Sequence, residues 1–178
     1  MDNAGHPWAV PVTLDEIPDS GLHMEIEALP ETRAALAKLA EVRDIPRLAA
    51  VFDLVRADGG VDVSGRVRAR VEQTCVVTLE PVENDVDEPV EVAFRPGAEP
   101  APMPTHVSQV LDEDEDPPEP LVGGKVDLGA LATEFLLLGI DPYPRKPGAE
   151  FAPPHPAEPG EHPFAGLDAL KKRLGGES

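Results

Sequence analysis

The sequence predicts an α+β domain: a twisted, mainly antiparallel sheet of five or six strands with two or three helices. Three observations predict it. Several segments alternate apolar and polar residues with period two, two others show helical spacing, and an Asp-Gly turn separates two of the strands. We expect a single domain over residues 1–178, with a sheet curled enough to bury one face and to approach partial closure into a barrel.

The N-terminal segments predict two strands and a helix. Residues 8–17 alternate loosely and residues 21–28 alternate strictly, which is typical of strands. Residues 30–43 change to helical spacing, and Pro30 suits a first helical turn. The apolar stripe of this helix consists of Ala35, Leu36, Leu39 and Ala40.

The longest alternation lies on both sides of the turn "ADGG", residues 57–60, where Asp-Gly tolerates positive backbone angles. After the turn, the residues predicted to point inward are Val61, Val63, Gly65, Val67, Ala69 and Val71. The opposite face carries Arg66, Arg68 and Arg70. We expect a further strand through Cys75, a turn at Leu79, Glu80 and Pro81, and a last strand over residues 90–94.

Two proline-rich segments interrupt this pattern, since 15 of the 22 prolines fall within residues 96–120 and 142–163. Residues 96–120 predict a mobile acidic loop. Residues 152–162 predict a linker to a short C-terminal helix that begins near Pro163 and Phe164. Between the two segments, Asp127 is a candidate N-cap for a helix whose apolar positions are Leu128, Leu131, Phe135 and Leu138.

The chain is strongly acidic, and its excess charge is concentrated in one quarter of the sequence. The formal net charge is −19, of which −12 falls within residues 80–120. That region repels phosphate backbones and attracts basic partners. A run of five carboxylates is ordinarily solvated charge, with contact to a basic protein as the sharper alternative. The run consists of Asp112, Glu113, Asp114, Glu115 and Asp116.

Catalytic and metal chemistry find little support in the sequence. The single cysteine, Cys75, excludes a disulfide framework or a multi-thiolate zinc site within one chain, and it belongs to no recognisable Cys-His motif. A buried, inert thiol in a strand is the favoured interpretation. We expect no enzyme activity, cofactor, metal or small-molecule substrate. With no long apolar run and no signal-like N-terminus, a cytoplasmic protein without membrane contact is expected.

Two basic features are candidate partner-binding sites. The arginine stripe, defined as Arg66, Arg68 and Arg70, has a spacing of ~6.5–7 Å and could follow a phosphate backbone. We favour a solvated face with cross-strand carboxylate partners such as Asp53. The segment "PYPRKPG", residues 142–148, could engage RNA or could be a rigid strap on the preceding helix, and both interpretations stay open. Its candidate contacts are Tyr143, Arg145 and Lys146.

The sequence resembles the YceD family of large ribosomal RNA subunit accumulation proteins, and within it the alphaproteobacterial branch in particular. The resemblance lies in three blocks in the same order, residues 65–82, 118–151 and 162–174. Many members show C-x-R-C-L-E-P in the first block. Val77 and Thr78 stand here at the arginine and second cysteine positions, so no metal role carries over. The residues that match the family pattern are Cys75, Leu79, Glu80, Pro81, Asp127, Leu128, Gly129, Pro163 and Phe164.

The resemblance implies a non-enzymatic role in the synthesis, processing or accumulation of 23S rRNA during assembly of the large ribosomal subunit. The genes of family members commonly lie beside the gene for a small basic protein of that subunit. This arrangement implies that the small basic ribosomal protein is a partner. The alternative is direct binding to 23S rRNA or its precursor through the arginine stripe and the Arg145–Lys146 segment.

Overall fold

The structure is a computed structural model that describes residues 6–98, 117–151 and 167. It is α+β, as predicted. One sheet has five strands in the order β2-β3-β4-β5-β6, and a second sheet pairs β1 with β7. The elements are β1 (Pro11–Thr13), a 3₁₀ helix (Leu14–Glu16), β2 (Leu22–Glu27), α1 (Pro30–Leu39), β3 (Asp44–Ala57), β4 (Gly60–Thr74), β5 (Pro81–Arg95), β6 (Glu119–Pro120), β7 (Lys125–Asp127) and α2 (Leu128–Gly139).

The central hairpin of β3 and β4 forms as the sequence predicts. Asp58 and Gly59 both take positive φ values, 50° and 74°, which a tight two-residue turn requires. The inward residues of β4 that carry side chains are all buried. Pairing is antiparallel from β2 to β5, whereas β6 joins β5 in parallel. Among the described residues β2 does not pair with β6, so the sheet is open and the expected partial barrel closure is not found.

Both helices pack on one face of the sheet, and the apolar core lies between them and the strands. The buried apolar residues of α1 are Leu36 and Ala37. Those of α2 are Leu128, Leu131, Ala132 and Leu136. Two residues that the sequence placed in the apolar stripes, Leu39 and Leu138, are exposed instead. The reason is local: both helices carry more apolar residues than one face can bury, so spacing alone does not identify the buried stripe.

The start of α2 is tied to the N-terminal segment. Asp127 caps the helix as predicted, since its carboxylate accepts hydrogen bonds from the backbone N–H groups of Gly129 and Ala130, each at 3.1 Å. The same oxygen accepts from the N–H of Val10 at 2.8 Å. A Cβ on Gly129 would lie 2.6 Å from the carbonyl oxygen of Trp8, so only glycine allows this close approach.

The predicted strand through Cys75 is wrong, whereas the strand predicted over residues 90–94 is present as the last part of a longer strand. β4 ends at Thr74, Cys75 lies in the turn that follows, and a single long strand begins at Pro81. Proline suits the first position of a strand because its missing N–H is not needed there. Glu119 and Pro120, placed by the sequence in the acidic loop, pair with the end of β5.

Several predictions fall on residues that the structure does not describe. These are the run Asp112–Asp116, the linker at residues 152–162, and Pro163 and Phe164 of the expected C-terminal helix. Within the described ranges 6–98 and 117–151, no helix is long and apolar enough to cross a membrane.

Candidate functional site

The face of the large sheet that points away from the helices, here called the outer face, is highly charged and predominantly acidic. Alternation along β2 to β5 places ten carboxylates and five arginines on it. The carboxylates are Glu25, Glu27, Asp44, Asp53, Asp62, Glu72, Glu83, Asp85, Asp87 and Glu91, and the arginines are Arg47, Arg66, Arg68, Arg70 and Arg95.

The arginine stripe lies in the middle of the outer face, and carboxylates of β5 occupy its guanidinium groups. Arg66 Nη1 and Arg68 Nε lie 2.9 and 3.4 Å from Asp87 Oδ1. Arg70 Nε lies 3.0 Å from Asp85 Oδ1. The hydrogen bond from Arg66 is the main reason that the pKa of Asp87 is lowered. These pairs fit the predicted solvated face with cross-strand partners.

Asp53, the partner suggested by the sequence, contacts a different strand. It lies opposite Ser64 on β4 and not opposite an arginine. Its Oδ1 lies 2.7 Å from Nδ1 of His23 on β2. This hydrogen bond, followed by the charge of Asp53, raises the pKa of His23. The choice of partner therefore follows from strand register, which the sequence alone did not provide.

A groove with a volume of about 1140 Å³, here called the outer groove, runs across β2 to β5 on this face. Strand register defines two consecutive rows across it. Glu25, Val51 and Arg66 form one row, and Glu27, Ala49 and Arg68 form the next. Glu25 and Glu27 therefore lie along one side of the groove, and Arg66 and Arg68 lie along the other. The short apolar side chains of Val51 and Ala49 lie between the two sides. Sequence reasoning missed Glu25 and Glu27, because period two showed their face but not their neighbours.

A second feature is the turn between β4 and β5 together with the segment after α2, residues 73–81 and 141–146, here called the corner. Cys75 is fully buried in it. Its Sγ accepts hydrogen bonds from the backbone N–H groups of Lys146, at 3.3 Å, and Thr78, at 3.4 Å. These donors, Lys146 foremost, stabilise the thiolate and lower the pKa of Cys75 to about 6.

The segment after α2 is fastened to the corner by further hydrogen bonds. The N–H of Val76 donates to the carbonyl of Pro144 at 2.9 Å. The side chain of Gln73 donates to the carbonyl of Asp141 at 2.8 Å, and Lys146 Nζ lies 2.8 Å from Glu80 Oε2. The segment is therefore a strap, as one of the two sequence interpretations held. Its attachment is to the β4–β5 turn, where the sequence suggested the preceding helix.

The corner presents apolar side chains to solvent on this rigid frame. Leu79 has a φ of 61°, a left-handed conformation that strains a bulky residue. Its side chain is nevertheless 75 % exposed, and Tyr143 on the strap is 72 % exposed. Val76, in the same turn as Leu79, is exposed as well. Strain at an exposed apolar residue is typical of a contact surface rather than of a packed core.

The described part of the chain contains one free cysteine, which is buried. Residues 6–98 and 117–151 contain no group of three or more histidine, cysteine, aspartate or glutamate side chains placed to hold a metal ion. The Cys75 sulfur faces backbone N–H groups, and its side chain is closed to solvent. The outer face therefore presents charged side chains, and the corner presents exposed apolar side chains.

Comparison with known proteins gives one match. The family model described as "Large ribosomal RNA subunit accumulation protein YceD" matches residues 63–171, which is more than half of the chain. The matched range begins within β4 and includes the arginine stripe, the corner and α2. A search of curated proteins and a search of solved structures each returned no match.

Proposed function

The chain belongs to the YceD family of large ribosomal RNA subunit accumulation proteins, and from this membership we propose that it acts by binding a basic protein of the large ribosomal subunit. In this proposal it supports the accumulation of 23S rRNA as a non-enzymatic assembly factor. It holds the basic protein until the RNA replaces it. Opposite charge gives such a complex fast association and specificity.

The observation that carries the proposal is the state of the arginine stripe. Its three guanidinium groups are paired with Asp85 and Asp87, and ten carboxylates share the outer face with five arginines. An RNA phosphate would have to displace these carboxylates and approach an acidic surface. A basic protein meets a surface whose charge already attracts it.

The acidic run Asp112–Asp116 provides a second contact in this proposal. It contributes five of the negative charges in a region whose net charge is −12. Charges of one sign accelerate encounter with an oppositely charged partner over about a Debye length, ~8 Å at physiological salt. The run therefore serves to capture the basic protein and to raise its association rate.

The test is affinity capture with the intact chain as bait and the total protein extracted from large ribosomal subunits as prey, with and without nuclease. We expect a basic ribosomal protein to be retained in both conditions. Retention that disappears after nuclease would show that RNA holds the complex, contrary to the proposal.

A charge-neutral variant tests the acidic run separately. Asp112, Glu113, Asp114, Glu115 and Asp116 are changed to Asn or Gln. Association with the retained protein should slow about tenfold at low salt, and less at high salt, because steering is screened. The matched control neutralises five carboxylates elsewhere, namely Asp15, Asp19, Glu31, Glu41 and Glu150. An equal effect of both sets would remove any special role of the run.

Direct binding to rRNA is the second candidate, and the corner is the feature that favours it. Tyr143 is 72 % exposed, and Arg145 beside it is exposed as well. An exposed aromatic ring is a surface on which an unpaired base can stack, and an exposed arginine can pair with phosphate. In a gel-shift titration with 23S fragments at two salt concentrations, Tyr143→Ala should weaken binding and Tyr143→Phe should not. No shift of the wild type at low salt rejects this candidate.

A further inference from the structure

We propose that the outer groove is the docking site for an extended segment of the basic partner, whose lysine or arginine side chains pair with Glu25 and Glu27. This inference rests on the proposed function and specifies the surface at which it operates. Glu25 and Glu27 precede the residues that match the family model, so the site combines the family region with strands contributed by the N-terminal part of this chain.

The geometry of the groove fits one extended polypeptide segment. Glu25 and Glu27 lie directly across from Val51 and Ala49, which in turn lie across from Arg66 and Arg68. Because neighbouring strands are ~4.8 Å apart, the glutamate row and the arginine row are ~10 Å apart. The two short side chains between them form an apolar floor about as wide as a single chain.

Four carboxylates and four arginines line the groove, so its preference for a ligand depends on which of these groups are already paired. The arginines on one side of the groove are already paired, since Arg66 and Arg68 both contact Asp87. The glutamates on the other side, Glu25 and Glu27, are exposed to solvent. The distance from His23 Nε2 to Glu25 Oε1 is long, at 3.8 Å. A positive side chain in the groove therefore gains most by pairing with the glutamate row.

The same register predicts where along the groove the positive side chains lie. Arg47 is directly opposite Arg70 at one end, and like charges in this arrangement repel a further cation. The rows that contain Glu25 and Glu27 lack such a pair. We therefore place the cationic contacts of the segment at these two rows.

The outer groove is open to a partner as far as the described residues extend. Both α1 and α2 bury their apolar faces against the opposite side of the sheet. Ala49 and Val51 remain only partly buried on the outer face. An apolar floor between two charged rows, on a face that no helix of the described residues covers, leaves space for one extended segment.

The experiment compares two double variants of the full chain in a titration with the basic protein retained from the large-subunit protein extract. Glu25→Gln with Glu27→Gln should weaken binding at least fivefold. The control, Glu83→Gln with Glu91→Gln, removes the same charge from the same face but outside the groove, and should change the affinity less than twofold. A third variant, Ala49→Leu, fills the floor without a change of charge and should also weaken binding. Thermal unfolding checks that each variant is folded.

Each alternative outcome has a distinct meaning. If the two glutamine pairs have equal effects while the wild type binds, the groove proposal is overturned and the proposed function stands. If Arg47→Gln with Arg68→Gln weakens binding of 23S fragments and the glutamate variants bind normally, the occupant is an anion such as RNA, and the proposal is again overturned. If the wild type retains no basic protein, the proposed function fails together with the groove.

Discussion

The buried sulfur of Cys75 is an acceptor for the backbone of a distant segment. The N–H groups of Lys146 and Thr78 point at it, and they lower the pKa of the thiol to about 6. A thiolate held in this way stabilises the corner as a charged hydrogen-bond acceptor. Because the side chain is closed to solvent, this role is structural and needs no reactive partner.

Replacement of Cys75 by serine should reveal this role as a dependence of stability on pH. The folded-state pKa of about 6 lies below the ordinary value of 9.0. Ionisation therefore stabilises the fold fully above pH ~9, and this stabilisation is lost as the pH falls through ~6. The difference in Tm between the wild type and Cys75→Ser should thus widen from pH 6 to pH 9. A constant difference over this range would show that the thiol stays neutral.

Leu79 is strained, and its substitution tests whether that strain serves binding. At a φ of 61° glycine avoids a steric cost of ~1–2 kcal/mol, offset by ~0.5–1 kcal/mol of extra chain entropy in the unfolded state. Because Leu79 is 75 % exposed, little buried surface is lost. Leu79→Gly should therefore raise the free energy of unfolding by up to ~1.5 kcal/mol in a urea titration.

Leu79→Ala is the matched control, since it removes the apolar side chain and keeps the strain of a residue with a Cβ. If the exposed leucine contacts the partner, both variants should weaken capture of the basic protein, and only the glycine variant should be more stable. A glycine variant that is less stable than the wild type would mean that the leucine side chain packs against the corner.

At the scale of elements, α2 depends on its cap. Asp127 satisfies the N–H groups of Gly129, Ala130 and Val10. Asp127→Ala leaves these donors without that acceptor and should lower the free energy of unfolding by ~1–2 kcal/mol. Chemical denaturation measures the loss. Asp127→Asn retains an acceptor oxygen and should lose much less; equal losses would argue that the charge matters and not the cap.

The elements in which apolar and polar residues alternate without exception could be predicted from the sequence. In β4, small apolar residues point inward and polar residues point outward without interruption, and the Asp-Gly turn fixes the hairpin. β5 was read only in part because polar residues occupy two inward positions. Asn84 bonds Gln73 at 2.8 Å, and Glu88 lies near Gly139 of α2. Each polar residue is accommodated by a tertiary contact, which no local pattern shows.

The candidate site shows the same division between local and tertiary information. The outward orientation of Arg66 follows from period two alone, but its partner does not. Asp87 is its partner because of the β4–β5 register, and Glu25 lies at the same groove because β3 pairs with β2. The attachment of the strap to the β4–β5 turn could not be predicted, since the two segments lie 71 residues apart in the chain.

For the whole molecule, charge and topology work together. The chain carries a net charge of −19, and its large sheet buries one face under two helices while the other face presents carboxylates. A charge far from zero favours solubility and rapid encounter with an oppositely charged partner, at some cost to the compact state. The fold meets part of this cost by cross-strand pairing of arginines with aspartates.

The strap also sets an order of events in time. The Cys75 sulfur receives the N–H of Lys146 only when residues 141–146, which follow α2 in the chain, lie against the β4–β5 turn. Contacts across so long a loop form late, since their closure costs chain entropy before it is rewarded. We expect the rate at which a thiol reagent labels Cys75 to measure how often the strap detaches locally from the β4–β5 turn.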